Sequence, residues 1–190
     1  MKLPGPIKFK IATEDWEFDL IHQLNYRTFV EEIPQHSATP SGRLVDKFHD
    51  ENTYVICLSG TQLIGMLAVR GKRPFSLDQK LPRLDDYLPP GHSVCEVRLL
   101  AVAKNYRMGQ VSIGLLKYCG EYCSKQGYDM GVISGTTRQQ KLYKHLGFVP
   151  FGPLVGTGGA LFQPMYITRE SFEAQTRDAF TDGNDEDQGE

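Results

Sequence analysis

Residues 99–129, LLAVAKNYRMGQVSIGLLKYCGEYCSKQGYD, pass from an apolar strand through a short basic loop into an amphipathic helix. That order can hold a phosphate. A helix N-terminus offers N–H groups that no helical carbonyl reaches, at the positive end of the helix dipole. The amides of Met108, Gly109, Gln110, Val111 and Ser112 belong there. Lys104 and Arg107 add positive charge, and Gly109 lets the backbone approach closely. The same residues also suit a plain βα turn with its basic side chains in water. One glycine is few for a phosphate cradle.

Glu96 and Arg98 stand two apart on the apolar strand upstream and so share a face. Arg27, Glu31 and Glu32 end the first predicted helix, where they could read a polar acceptor or simply be solvated. His36 and His49 fall in or near loops and read as surface histidines. Cys119 and Cys123 are four apart on a helix, but no CxxC or HxxxH accompanies them. With Cys57 and Cys95 they read as small core residues, and no metal site is expected.

These residues need a scaffold. The chain has 190 residues, 40% of them hydrophobic and 23% charged, enough for one two-layer domain with a real core. No apolar run approaches the roughly 18 residues of a membrane span, and the first residues lack a signal-peptide pattern, so a cytoplasmic protein is expected. The net charge of −2 conceals a split, because five of the 23 acidic residues and no Lys or Arg fall in the last ten positions. Without that tail the body is mildly basic. Residues 181–190 read as a disordered tail or a linker to a further domain. Basic residues are scattered and no nucleic-acid-binding module is recognisable.

IKFKIAT alternates like a half-buried strand. Thr13 or Asp15 can cap the helix DWEFDLIHQLNYRTFVEE. IPQHSATPSG is a loop. TYVICLSGTQLIGMLAVRG reads as a hairpin about Ser59 and Gly60, and KRPFSLDQKLPRLDDYLPPG as a proline-broken connection. HSVCEVRLLAVA is the central strand candidate. After the loop come a helix ended by Gly127, the strand DMGVIS, a short helix TTRQQKLYKHLG capped by Thr and stopped by Gly147, strands in FVPFG and ALFQPMYIT, and a last helix, RESFEAQTRDAF. The class is α/β (α+β), one domain over residues 1–180 with a mixed, partly antiparallel sheet flanked by helices.

At KLYKHLGFVPFG the chain resembles the GNAT acyltransferase superfamily. That family has a central strand, a loop of form (Q/R)-x-x-G-x-(G/A), a helix, a strand, and a helix ending in L-Y-x-x-x-G-F. Here the loop is Arg107-Met108-Gly109-Gln110-Val111-Ser112, with Gln110 where the family prefers Gly, and LYKHLGF matches fully. A narrower resemblance lies in YRTFVEE, DKFHDENTYVI, GMLAVRGKRPFSLDQKLPRL and CEVRLLAV, which look like the N-acyl-homoserine lactone synthases and the N-acyl amino acid synthases. These share a D-x-F-D-like segment, an arginine after the hairpin, a P-x-x-L stretch, a Glu on the central strand and a glycine-poor phosphate loop. EEIPQH departs from the aromatic that lactone synthases carry near their adenosylmethionine pocket.

The resemblance implies acyl transfer from acyl-CoA or acyl carrier protein to the amine of a small molecule, such as an amino acid, with no permanently bound cofactor. It implies that residues 107–112 hold the donor phosphate and that the main chain of Leu100, Ala101 and Val102 pairs with pantetheine, one of these amides meeting the oxyanion. Glu96 would be the base, unless it forms a structural ion pair with Arg98. Tyr143 would be the acid, unless it is a packed aromatic. Arg27, Glu32 and Arg98 would read the acceptor. Phe75, Leu77, Leu81, Leu84, Tyr87 and Leu88 would wall an acyl channel, or else cover a sheet edge. An acetyl-CoA-dependent N-acetyltransferase and a non-catalytic ligand-binding module of a larger protein are the alternatives.

Overall fold

The computed structural model describes residues 5–33, 35–107, 109–156 and 161–181, without the side chains of Arg138 and of residues 176–181. Met108 and most of the expected acidic tail lie outside the described residues. The strands are β1 (Ile7–Ile11), β2 (Thr53–Ser59), β3 (Gln62–Arg70), β4 (Val94–Val102), β5 (Met130–Thr136), β6 (Val149–Pro150) and β7 (Phe162–Thr168), in the sheet order β1-β2-β3-β4-β5-β7-β6. The helices are α1 (Asp15–Tyr26), α2 (Gln110–Lys125), α3 (Gln140–His145) and α4 (Arg169–Thr181). The mixed sheet of the α/β class is therefore present, with β4 fourth of seven strands. The described residues fall into two compact units, residues 1–73 with 97–121, and residues 74–96 with 122–190.

In the first unit β1, β2 and β3 form an antiparallel meander, and β2 and β3 are buried on both faces. Ile21 and Leu24 of α1 join Tyr54, Ile56, Met66, Ala68 and Ala101 in one apolar cluster. Glu17, rather than Thr13 or Asp15, organises the start of α1. Its carboxylate accepts the amides of Thr13 (2.8 Å) and Glu14 (3.2 Å) and the Lys10 ammonium (2.6 Å). The predicted single helix changes pitch after Tyr26. Residues 27–32 form a π-helical turn in which the Ile33 N–H reaches the Thr28 carbonyl at 2.9 Å. Helix α2 packs on β3 where the strand lacks a side chain, since a Cβ on Gly65 would lie 2.8 Å from Val111 Cγ1. That close approach fixes where the N-terminus of α2 points.

In the second unit β4 pairs parallel with β5 over Val94–Glu96, and β7 lies antiparallel to both β5 and β6. Phe75, Leu77, Leu81, Leu84 and Leu88 pack with Met130, Val132, Phe151 and Val155 as the core of this unit. Tyr87 does not join them: it is 42% exposed. Gly147 ends the short helix in the left-handed region (φ 89°), whereas Gln139, not a threonine, occupies the cap position and makes no side-chain capping bond.

Candidate active site

The central strand carries a backbone irregularity that the sequence did not announce. Leu99 has φ 54°, a conformation a branched residue rarely adopts without being forced. It follows directly on Val97 and Arg98, just past the last β4–β5 pair, Glu96 with Val132. Residues Leu100, Ala101 and Val102, expected to pair with pantetheine, are the last three of β4, and Ala101 and Val102 are buried.

The loop after β4 is built as the strand–loop–helix order requires. Residues Lys104–Tyr106 make one 3₁₀ turn, Gly109 takes φ 82°, and the Ile113 N–H opens the helical ladder on the Gly109 carbonyl at 3.0 Å. The amides of Gln110, Val111 and Ser112 therefore precede that ladder. Only glycine takes φ 82° at no steric cost, which explains the one glycine here. Arg107 does not simply reach into water. Its Nε donates to the Val102 carbonyl at 2.8 Å, and its Nη2 lies 2.6 Å from Glu32 Oε2.

The three expected acceptor-reading residues each have a partner. Arg27 is exposed and its Nε bonds back to the Gln23 carbonyl of its own helix at 3.4 Å, Glu32 pairs with Arg107, and Arg98 turns to Asp46. That last pair is bidentate: Nη1–Oδ1 is 2.8 Å and Nη2–Oδ2 is 3.1 Å. Oδ1 also accepts from the Phe48 amide (3.0 Å) and Asn52 Nδ2 (2.9 Å). Burial pushes the Asp46 carboxyl up, but Arg98 and these donors outweigh it and hold it below the usual carboxylate value.

Arg70 joins the same cluster. Its guanidinium carbon stands 3.8 Å from the Phe48 ring centroid and that of Arg98 at 4.9 Å, while Arg70 Nη2 is 3.1 Å from Glu51. Two arginines thus share one aromatic ring, each with an acidic partner. Asp46, Glu51 and Arg70 were not singled out from sequence. Asp46 opens DKFHDENTYVI, Glu51 lies within it, and Arg70 is the arginine after the hairpin.

His49 also departs from its expected surface role. Its Nδ1 lies 3.1 Å from the Tyr54 hydroxyl and 3.4 Å from His22 Nε2, with Phe18 edge-on to its ring. Burial pushes the Tyr54 phenol up to about 12, so it stays a hydroxyl. His36 is exposed.

In the second unit Glu96 is buried, at 1% exposure. Its carboxylate accepts the Ser76 amide (2.8 Å), the Ser76 hydroxyl (2.6 Å) and the Leu77 amide (3.0 Å). The carboxylate thereby ties the start of the proline-broken connection to the central strand. Tyr143 rests on β5, where a Cβ at Gly135 would stand 3.0 Å from its ring. Its hydroxyl bonds Gln139 Oε1 at 3.1 Å and its ring meets Phe148 edge-on. Burial pushes the Tyr143 phenol up, which keeps its proton in place at neutral pH. Glu96 is thus bonded to Ser76 and Leu77, and Tyr143 is packed against β5 and Phe148. Among the described residues no group of three or more His, Cys, Asp or Glu is arranged to hold a metal ion.

The mixed sheet, the basic turn into α2 and the Leu-Tyr helix closed by Gly147 are features that the resemblance to GNAT-like acyltransferases leads one to expect. Residues 21–169 match the family model described as N-acyl amino acid synthase FeeM, and the chain belongs to that family. The fold agrees. A CoA-dependent acyl-homoserine lactone synthase, BjaI, solved with SAM and isopentyl-CoA, shares 22% identity over 90% of this chain and 88% of its own, with a TM-score of 0.73. FeeM itself, an N-acyl amino acid synthase from uncultured soil microbes, shares 17% identity over 93% and 98%, with a TM-score of 0.70. A putative N-acetyltransferase from Lactobacillus plantarum shares 19% identity over 86% and 99%, with a TM-score of 0.64. No protein of the curated collection matches the sequence. The chain is an N-acyltransferase. No helix among the described residues is long and apolar enough to cross a membrane.

Proposed function

We propose that the protein moves a medium or long acyl chain from a thioester, on coenzyme A or acyl carrier protein, to the amine of a small amino-acid-like acceptor. Membership in the N-acyl amino acid synthase family is the observation that carries this reading. The amine nitrogen attacks the thioester carbonyl, a C–N bond forms, and the C–S bond breaks. The nitrogen loses a proton and the departing thiolate gains one. Arg107 and the amides of Gln110, Val111 and Ser112 hold the donor phosphate, with Met108 and Gly109 before these amides in sequence. The Gly109 N–H itself donates to the Arg107 carbonyl at 2.9 Å. Leu100, Ala101 and Val102 offer main-chain groups to pantetheine, and an amide next to the Leu99 kink meets the oxyanion. Tyr143, a protonated phenol, returns a proton to the thiolate. Glu96 takes the amine's proton by way of the Ser76 hydroxyl, 2.6 Å from it. Arg98, with Asp46, orients the acceptor. The departure of EEIPQH from the lactone-synthase pattern favours an amino-acid-like acceptor over adenosylmethionine.

Rates for acetyl, butyryl, octanoyl and lauroyl thioesters on one amine, each on coenzyme A and on carrier protein, test the donor. Each buried CH₂ contributes about 0.8 kcal/mol at most. An apolar site formed near Phe75, Leu77, Leu81, Leu84 and Leu88 should raise kcat/KM by about a hundred-fold or more from acetyl to octanoyl. If acetyl is best on both carriers, an acetyl-CoA-dependent acetyltransferase replaces this reading.

A further inference from the structure

The arginine best placed to hold the donor phosphate already holds an anion of the protein's own. Glu32 closes the π-helical turn that follows α1, and its Oε2 lies 2.6 Å from Arg107 Nη2. Arg107 is also anchored independently, since its Nε donates to the Val102 carbonyl at 2.8 Å. Glu32 therefore is not what positions the guanidinium. The two side chains are partly exposed, at 33% for Glu32 and 43% for Arg107, so an incoming anion can reach the pair and an exposed ion pair yields readily. A carboxylate and a phosphate oxygen seek the same guanidinium donors.

We infer that Glu32 is an internal competitor for the donor phosphate at Arg107, and that donor binding displaces it. This rests on the reading that residues around Arg107 bind the donor. Glu32 thus sets donor affinity without being needed for the fold of the loop.

Calorimetric titration of the whole chain with octanoyl-coenzyme A tests the inference in the wild type, Glu32→Gln, Glu32→Asp, Arg107→Ala and the double variant Glu32→Gln/Arg107→Ala. Glu32→Gln is near-isosteric and removes only the charge. It should tighten donor binding by about three-fold at low salt, the scale of an exposed ion pair. The gain should shrink as salt screens the pair. Glu32→Asp should stay near the wild type, and in the Arg107→Ala background Glu32→Gln should do nothing. If Arg107→Ala weakens binding but Glu32→Gln leaves it unchanged or weaker, the competitor role is wrong and the donor site stands. If Arg107→Ala itself leaves affinity unchanged, the donor site is wrong and the inference falls with it. A purely structural ion pair is recognised by Glu32→Gln lowering both Tm and donor affinity, which also overturns the inference.

Discussion

Replacing Asp46 by Asn removes one charge and almost no volume from an ion pair of the first unit whose carboxylate accepts four hydrogen bonds. Asp46 and Arg98 are only 10% and 12% exposed at their side chains. The variant keeps one carbonyl oxygen for the Phe48 amide, yet it turns an NH₂ group toward the Arg98 fork. Removing one partner of a fully buried pair costs about 3–5 kcal/mol, and an exposed pair about 0–1 kcal/mol. The residual exposure of this pair and the nearby Phe48 ring argue for a value between, about 2 kcal/mol. At this chain length that corresponds to a fall in Tm of about 4–8 °C. The pH dependence is the sharper readout. The folded pKa of Asp46 lies below its ordinary value, so the stabilisation is full above that ordinary value, about 3.9, and is lost as pH falls through the lower, folded one. Thermal unfolding of wild type and Asp46→Asn from pH 7 downward should show a gap that is constant to about pH 5 and narrows below about pH 4. Arg43→Ala is the control. It breaks the exposed Arg43–Asp19 pair, 46% and 54% exposed, and should cost at most about 1 kcal/mol. A gap under about 0.5 kcal/mol at pH 7, or one that persists unchanged into strong acid, would refute the reasoning.

Tyr143→Phe should leave Tm nearly unchanged, because the hydroxyl's bond to Gln139 is exposed, while the rate at saturating substrate falls about a hundred-fold; an unchanged rate makes Tyr143 a packing residue. Gly135→Ala should slow the reaction without touching Tyr143 chemically, since the new methyl would sit 3.0 Å from its ring, and wild-type kinetics would show that the ring's seat does not matter. Ser76→Ala should lower kcat with little change in KM if the hydroxyl relays a proton to Glu96, whereas loss of Tm with an intact kcat would leave Glu96 a purely structural tie.

What could be read from the sequence was local. The strand, basic loop and helix around Arg107 follow one another along the chain, and the LYKHLGF segment carries its own helix stop in Gly147, so both were legible. The partners of the charged residues were not. Arg107 meets Glu32, Arg98 meets Asp46, and Glu96 meets Ser76 and Leu77, all across tertiary contacts that spacing does not encode. Glu96 and Arg98 illustrate the reason. Two residues apart, they share a face of the strand, and Glu96 was expected as a base with an Arg98 pair as the alternative. The bonds of Glu96 to Ser76 and Leu77 and of Arg98 to Asp46 come from other segments. The π-helical turn after Tyr26 was hidden because its residues fit an ordinary helical pattern equally well. The kink at Leu99 was hidden because leucine gives no hint of a positive φ.

N-acyl transfer from a thioester can be followed by mass spectrometry of a single reaction. The protein is incubated with acetyl, octanoyl and palmitoyl thioesters and a pool of amino acids and other small amines, and every product is weighed. A new amide, one acyl mass heavier than an amino-acid-like amine, should appear in step with free thiol and fastest with a donor longer than acetyl. Thiol released only by hydrolysis, or donors left intact by a folded protein that binds them, would contradict N-acyl transfer.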